Sequence, residues 1–195
     1  MIFENTLRVG DPPGRRQKFK NNLATGYTLI ELLIVAGILI LLSALFLANY
    51  DTMQWQTDLD AQTQKIVSVL KQAQTMALTG QKFEDIKPIG YGVWFRYEGG
   101  VDYYVLFADS PIGIPNLFEA NDPIIQTFSL PQNINVTFEG GGETLGLVFP
   151  VSGSKIYKNG NLLEGTFTLK LTHVKSTNFK KIKINPYGRI KISSQ

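Results

Sequence analysis

Gly26 and Glu31 are the two positions whose chemistry folding alone explains least. Glu31 is the only charge in the 20 residues from Leu29 to Ala48, which are otherwise almost wholly apolar. An ionised side chain in hydrocarbon costs at least a few kcal/mol, so this carboxylate needs a partner. Gly26 lies five residues upstream, just before the apolar run. A peptide cut after Gly26 frees an α-amine on Tyr27 at the start of the helix. A neighbouring copy can then present that amine to Glu31, which turns an expensive charge into an assembly device.

Other groups with chemical potential are weaker. Asp109, Asn116, Glu119, Asn121 and Asp122 supply hard oxygen atoms of the kind calcium prefers, but Pro111, Ile112, Ile114 and Pro115 occupy likely ligand positions. A plain surface loop without metal is the expectation. Glu139-Gly140-Gly141-Gly142-Glu143 has the glycines of a phosphate loop but lacks lysine and is flanked by acids, so a turn is expected. His173 is the only histidine and has no partner at metal-ligand spacing, so a satisfied or exposed strand histidine is expected. No acid–base constellation is visible. With no cysteine there is no disulfide framework, thiol nucleophile or Cys-rich zinc site. Neither an enzyme nor a cofactor is indicated.

These residues sit on elements that the pattern predicts. Residues 1–26 carry Arg8, Arg15, Arg16, Lys18 and Lys20 against Glu4 and Asp11, while the remainder has 14 basic and 14 acidic side chains. The excess charge therefore flanks the apolar run and holds that end in the cytoplasm. Twenty helical residues span roughly 30 Å, the thickness of a bilayer core. A plain signal-anchor explains the length and the flanking charge but not Gly26 and Glu31 at this spacing. Between Gly37 and Gly80 there is neither glycine nor proline, and Leu59, Ile66, Leu70, Ala73 and Ala77 mark one face of a continuing amphipathic helix. Asp51 and Gln54 can cap a restart if that helix breaks at the membrane surface. Gly80 suits its end.

Beyond Gly80, short runs rich in aromatic and β-branched residues predict strands near 91–98, 103–108, 124–130, 135–139, 147–150, 166–174, 180–185 and 189–193. Sequential strands with short connections favour one antiparallel sheet against the outer half of the helix, an α+β fold. For the last hairpin, a three-residue loop Pro186-Tyr187-Gly188 pairs Ile184 with Ile190 and Lys183 with Lys191, with Gly188 left-handed in a bulge. This register gives one apolar and one basic face. After Glu164 there are seven bases and no acid: Lys170, Lys175, Lys180, Lys181, Lys183, Arg189 and Lys191. Such a face invites an anionic partner such as DNA; a solvated face that discourages edge pairing is the simpler alternative.

Gly26-Tyr27-Thr28-Leu29-Ile30-Glu31-Leu32-Leu33 resembles the processing site of type IV prepilins and type II secretion pseudopilins. The resemblance implies cleavage after Gly26 by a prepilin peptidase and N-methylation of Tyr27, where the family usually has Phe. It also implies a role for Glu31 in processing or subunit register, with Leu29, Ile30, Leu32 and Leu33 in the assembling helix. Residues Val69–Ala77 before Gly80, and Gly188-Arg189-Ile190, are similar to the H-type pseudopilin and FimT-type minor pilin group. Some members of that group bind DNA through basic C-terminal residues, which here would be Lys181, Lys183, Arg189 and Lys191. The implied order is a leader over 1–26, a membrane and filament-core helix over 27–50, its amphipathic continuation over 51–80 and a β-rich extracytoplasmic domain over 81–195. Expected partners are the peptidase, other subunits, membrane lipid and, in the alternative, DNA. The expected location is a bacterial inner membrane crossed once, then a pilus or pseudopilus.

Overall fold

The structure, a computed structural model, describes residues 26–98, 101–139, 144–153 and 155–194. The expected leader up to residue 25, and Gly140 through Glu143, lie outside the described residues. The chain divides into two compact units, Met1–Ala44 and Leu45–Gln195. The division falls inside one helix, α1 (Leu29–Thr79). This helix is unbroken through residues 49–52, so the restart capped by Asp51 and Gln54 does not occur.

The first part of α1 contains a candidate membrane span, Leu29–Leu47, with a mean hydropathy of 2.8 and every side chain exposed. Ser43, its only polar side chain besides Glu31, donates its hydroxyl to the Leu39 carbonyl at 2.7 Å and so carries no unsatisfied donor into an apolar medium. Length and composition are compatible with single-pass membrane anchoring. At the other end Gly80 adopts φ +57°. Its N–H donates to the Ala77 carbonyl, and that of Gln81 donates to Met76. This is the paired-bond termination that a left-handed glycine permits.

In the second unit α1 is followed, among the described residues, by ten strands in two antiparallel sheets, rather than the single sheet expected. The first sheet has the order β3 (Ile124–Ser129), β2 (Val101–Asp109), β1 (Gly90–Glu98), β5 (Thr144–Pro150), β6 (Tyr157–Lys158), β7 (Asn161–Leu162). The second has the order β10 (Ile190–Ser194), β9 (Phe179–Ile184), β8 (Phe167–His173), β4 (Ile134–Phe138). The reason for two sheets lies in the helix. Leu59, Ile66, Leu70, Ala73 and Ala77 are buried as the spacing predicted, but Val67, Val69 and Met76 are buried too. That arc is wider than a single stripe. One apolar cluster joins it to Tyr91, Val93, Leu106 and Leu147 of the first sheet and to Leu169, Leu171, Ile182 and Ile184 of the second.

The two sheets differ on their outer faces. In β8 burial alternates strictly, with Phe167, Leu169, Leu171 and His173 inward, which is the signature of a half-solvated sheet. In β5 every residue from Leu145 to Phe149 is buried. The outer face of the first sheet is covered by the loop after β2. Its Phe118 stacks on Trp94 at 4.6 Å and meets Phe107 edge-on at 4.8 Å. Gly92 makes room for this layer, because a Cβ there would lie 2.5 Å from the Phe107 ring. The β6–β7 hairpin was not anticipated. It turns on Asn159 and Gly160 with φ of 47° and 78°, the backbone that favours Asn-Gly in two-residue loops.

Candidate functional site

Thr28 and Glu31 define the start of α1. The Glu31 N–H donates to the Thr28 hydroxyl at 3.3 Å, and the Thr28 N–H donates to the Glu31 carboxylate at 3.4 Å. The two residues thus bond each other's backbone N–H reciprocally, as in a capping box, with the Glu31 N–H shared with the Thr28 carbonyl at 3.1 Å. The carboxylate also lies where the helix dipole favours negative charge. The Thr-x-x-Glu spacing was in view in the sequence, but only the charge was singled out; Thr28 is the residue that reading missed. Gly26 and Tyr27 precede the helix outside any regular element, and both are exposed. Among the described residues nothing lies within 4 Å of a Cβ position at Gly26, so no packing among them demands glycine. Leu29, Ile30, Leu32 and Leu33 are all exposed around the same turn.

The C-terminal hairpin has the register the sequence predicts. Ile190 faces Ile184, Lys191 faces Lys183 and Ile192 faces Ile182. Gly188 has φ +78° and donates to the Asn185 carbonyl. Its apolar face is only partly covered. Ile182 and Ile184 are fully buried, whereas Ile192 is exposed because β10 is the edge of its sheet.

Strand alternation divides the seven bases. Lys180 pairs in register with buried Leu171, on the inward side, and reaches α1 to bond Asp60 at 2.7 Å. Lys170 faces Lys181 and Lys183 faces Lys191 across adjacent strands on the opposite side. Among the described residues no carboxylate forms an ion pair with any of these four. Phe179 lies between two of them, with the Lys170 and Lys181 ammonium groups 4.5 and 5.0 Å from its ring centroid. Beside them a groove of about 420 Å³ is lined by Thr137, Phe138, Glu139, Thr168, Lys170, Lys181 and Lys183. Arg189 is exposed at the turn, just before β10. The sequence reading grouped Lys181, Lys183, Arg189 and Lys191. Lys170 and Phe179 join them because β8 lies beside β9, a pairing between distant segments.

The loop after β2 is not the plain surface loop expected. Asp109 and Asp122 are buried, and the backbone folds around their carboxylates. Asp122 accepts from the N–H groups of Ser110 and Glu119, Asp109 from Asn116, and Glu119 from Ile114. Asn121 is exposed. Burial pushes the Asp109 carboxyl up to about 6; the Asn116 N–H opposes the shift, and the neighbouring charges of Asp122 and Glu119 add to it. Burial raises Asp122 as well, against its two N–H donors. Among the described residues no group of three or more His, Cys, Asp or Glu side chains is arranged to hold a metal ion.

His173 is buried and structural. Its ring stacks on Trp55 of α1 at 5.7 Å, and Nδ1 accepts from the Lys175 N–H at 3.1 Å. Asn133 lies 3.2 Å from Nε2 and donates to Asp58 of α1. The cluster ties the helix to the end of the second sheet. No family model, no curated protein and no solved structure matches this chain.

Proposed function

We propose that the chain is a structural subunit, a pseudopilin or minor pilin, of a type II secretion pseudopilus or type IV pilus. The observation that carries this reading is the start of α1. A glycine that no packing among the described residues requires precedes a capped carboxylate, which opens a fully exposed apolar span. In this reading prepilin peptidase cuts after Gly26, and the new amine of Tyr27 lies one residue from the Thr28 N–H that the Glu31 carboxylate already accepts. A neighbouring subunit then supplies or receives that charge pair. The apolar helices gather out of lipid into the filament core, with the two-sheet body outside it in a pilin-like packing. Mass spectrometry of the protein from membranes tests the first step. The expected chain begins at methylated Tyr27, and Gly26→Leu keeps its leader. An unprocessed wild-type chain rules the reading out.

A second reading is favoured by the paired lysines. Lys170, Lys181, Lys183 and Lys191 stand opposite one another on a solvated face, and like charges placed so are mildly destabilising. A DNA-binding minor pilin turns that cost to use, with Arg189 beside the ladder. Binding that weakens steeply with salt supports this reading; no binding at low salt removes it and leaves the filament reading intact.

A further inference from the structure

The loop between β2 and β3 carries an exposed apolar tip on a rigid base. Ile112 and Ile114 are 78% and 56% exposed, between exposed Pro111 and Pro115. The base is held on three sides. Asp109, Asp122 and Glu119 accept backbone N–H groups, the Ser110 hydroxyl accepts from Ile112, and the Asn116 carbonyl accepts from Gly160. Phe118 anchors the far side between Trp94 and Phe107. Two isoleucines fixed in water by this many bonds lose little entropy on docking, which is the advantage of preorganisation.

The same body has an acceptor of matching character. A cleft of about 100 Å³ lies between the end of α1, β5 and the last hairpin turn, with Ala77, Leu78, Phe149, Ile156 and Tyr187 in its lining. That volume holds several waters, so it accommodates an aliphatic side chain. Leu78 and Tyr187 are 76% and 68% exposed, so its mouth is apolar as well. Charge follows the same division. Between Arg96 and Lys155 the chain has no basic residue, and the partly exposed acid of the tip loop is Glu119, since Asp109 and Asp122 are buried at its base. The cleft is lined by Lys155, and Arg189 follows its Gly188.

We infer that Ile112 and Ile114 of one copy dock in the Leu78–Tyr187 cleft of the next. Where each copy engages one neighbour through its tip and another through its cleft, the contact is heterologous and propagates from copy to copy. This rests on the filament reading and adds to it a contact outside the helical core.

Cysteine cross-linking in membranes of cells producing the full-length chain tests both claims separately, since the protein has no cysteine of its own. Two differently tagged chains, Ile112→Cys and Leu78→Cys, are produced together and treated with an oxidant; Leu33→Cys, in the apolar helix, is treated alone. Expected are a mixed-tag dimer from the first pair, no dimer from either member alone, and a dimer through Leu33→Cys. Adding Ile114→Asp to the Ile112→Cys chain lowers the mixed dimer at least tenfold. Absence of the mixed dimer while Leu33→Cys still cross-links overturns the tip contact and spares the filament. A dimer of Ile112→Cys with itself, or an adduct with a different protein, overturns the tip contact as well. If Leu33→Cys also fails, the filament reading falls and takes the contact with it.

Discussion

Thr28 and Glu31 each satisfy a backbone donor of the other, at 3.4 and 3.3 Å, so a single carboxylate both caps the helix and places a charge at its mouth. The two roles can be separated. Glu31→Gln keeps an acceptor for the Thr28 N–H but loses the charge, whereas Thr28→Ala keeps the charge and loses half of the cap. If pairing with an amine drives assembly, Glu31→Gln and Glu31→Ala both abolish sedimentable filaments, with circular dichroism of the body unchanged. Thr28→Ala then costs only about 1 kcal/mol at the helix start and leaves assembly measurable. Normal assembly of Glu31→Gln rules out the charge.

Lys183 and Lys191 face each other across β9 and β10. Replacing Lys183 with Glu exchanges a like-charge pair for an opposite one and is expected to stabilise the body by about 0.5 kcal/mol, read as a higher urea midpoint. If the ladder binds DNA, the same substitution weakens affinity and flattens its salt dependence, as does the triple Lys183/Arg189/Lys191→Ala variant. Stability and binding then move in opposite directions. Unchanged binding in both variants means the lysines serve only as a solvated edge.

Much of this arrangement could be read from the chain because it depends on local rules. The apolar period places Leu59, Ile66, Leu70, Ala73 and Ala77 in the core, and matching Ile184 with Ile190 and Lys183 with Lys191 requires the three-residue turn of the last hairpin. What could not be read depends on encounters between distant segments. Lys170 joins Lys181 only because β8 pairs with β9. Asp109 becomes a buried loop anchor only because Asn116 and Asp122 fold back onto it. The Asn159-Gly160 turn is different: its signal was present in the sequence, but two-residue strands on either side are too short to show alternation.

Gly92 and Leu70 test the two sides of the body. A Cβ at Gly92 would come within 2.5 Å of the Phe107 ring and 2.7 Å of the Leu147 carbonyl oxygen. Since the carbonyl is backbone and cannot swing away, Gly92→Ala is expected to cost roughly 1–3 kcal/mol through overpacking. Leu70→Ala removes a fully buried side chain and should cost about 2–5 kcal/mol through a cavity. Urea unfolding of the two variants checks both. A neutral Gly92→Ala means that Phe107 and the loop above it can move, which also weakens the case for a rigid apolar tip.

The Asp109 carboxyl gives that loop a pH signature of unusual sign. Its folded value is raised to about 6 from an ordinary value of 3.8, chiefly by burial. Between those limits the folded protein binds more protons than the unfolded chain, so stability falls as pH rises. Its contribution is fully present below pH 4 and lost by passage through pH 6, the reverse of a salt-bridged aspartate. Asp109→Asn retains an oxygen acceptor for the Asn116 N–H and removes the charge. At pH 7.5 it is expected to exceed the wild type by about 1 kcal/mol, roughly 2–4 °C in Tm for a body of this size. At pH 4 the difference disappears. Thermal melts of both proteins across this range decide the matter: a variant less stable than wild type at pH 7.5 means that the ionised carboxylate holds the loop through its N–H bond more strongly than burial opposes it.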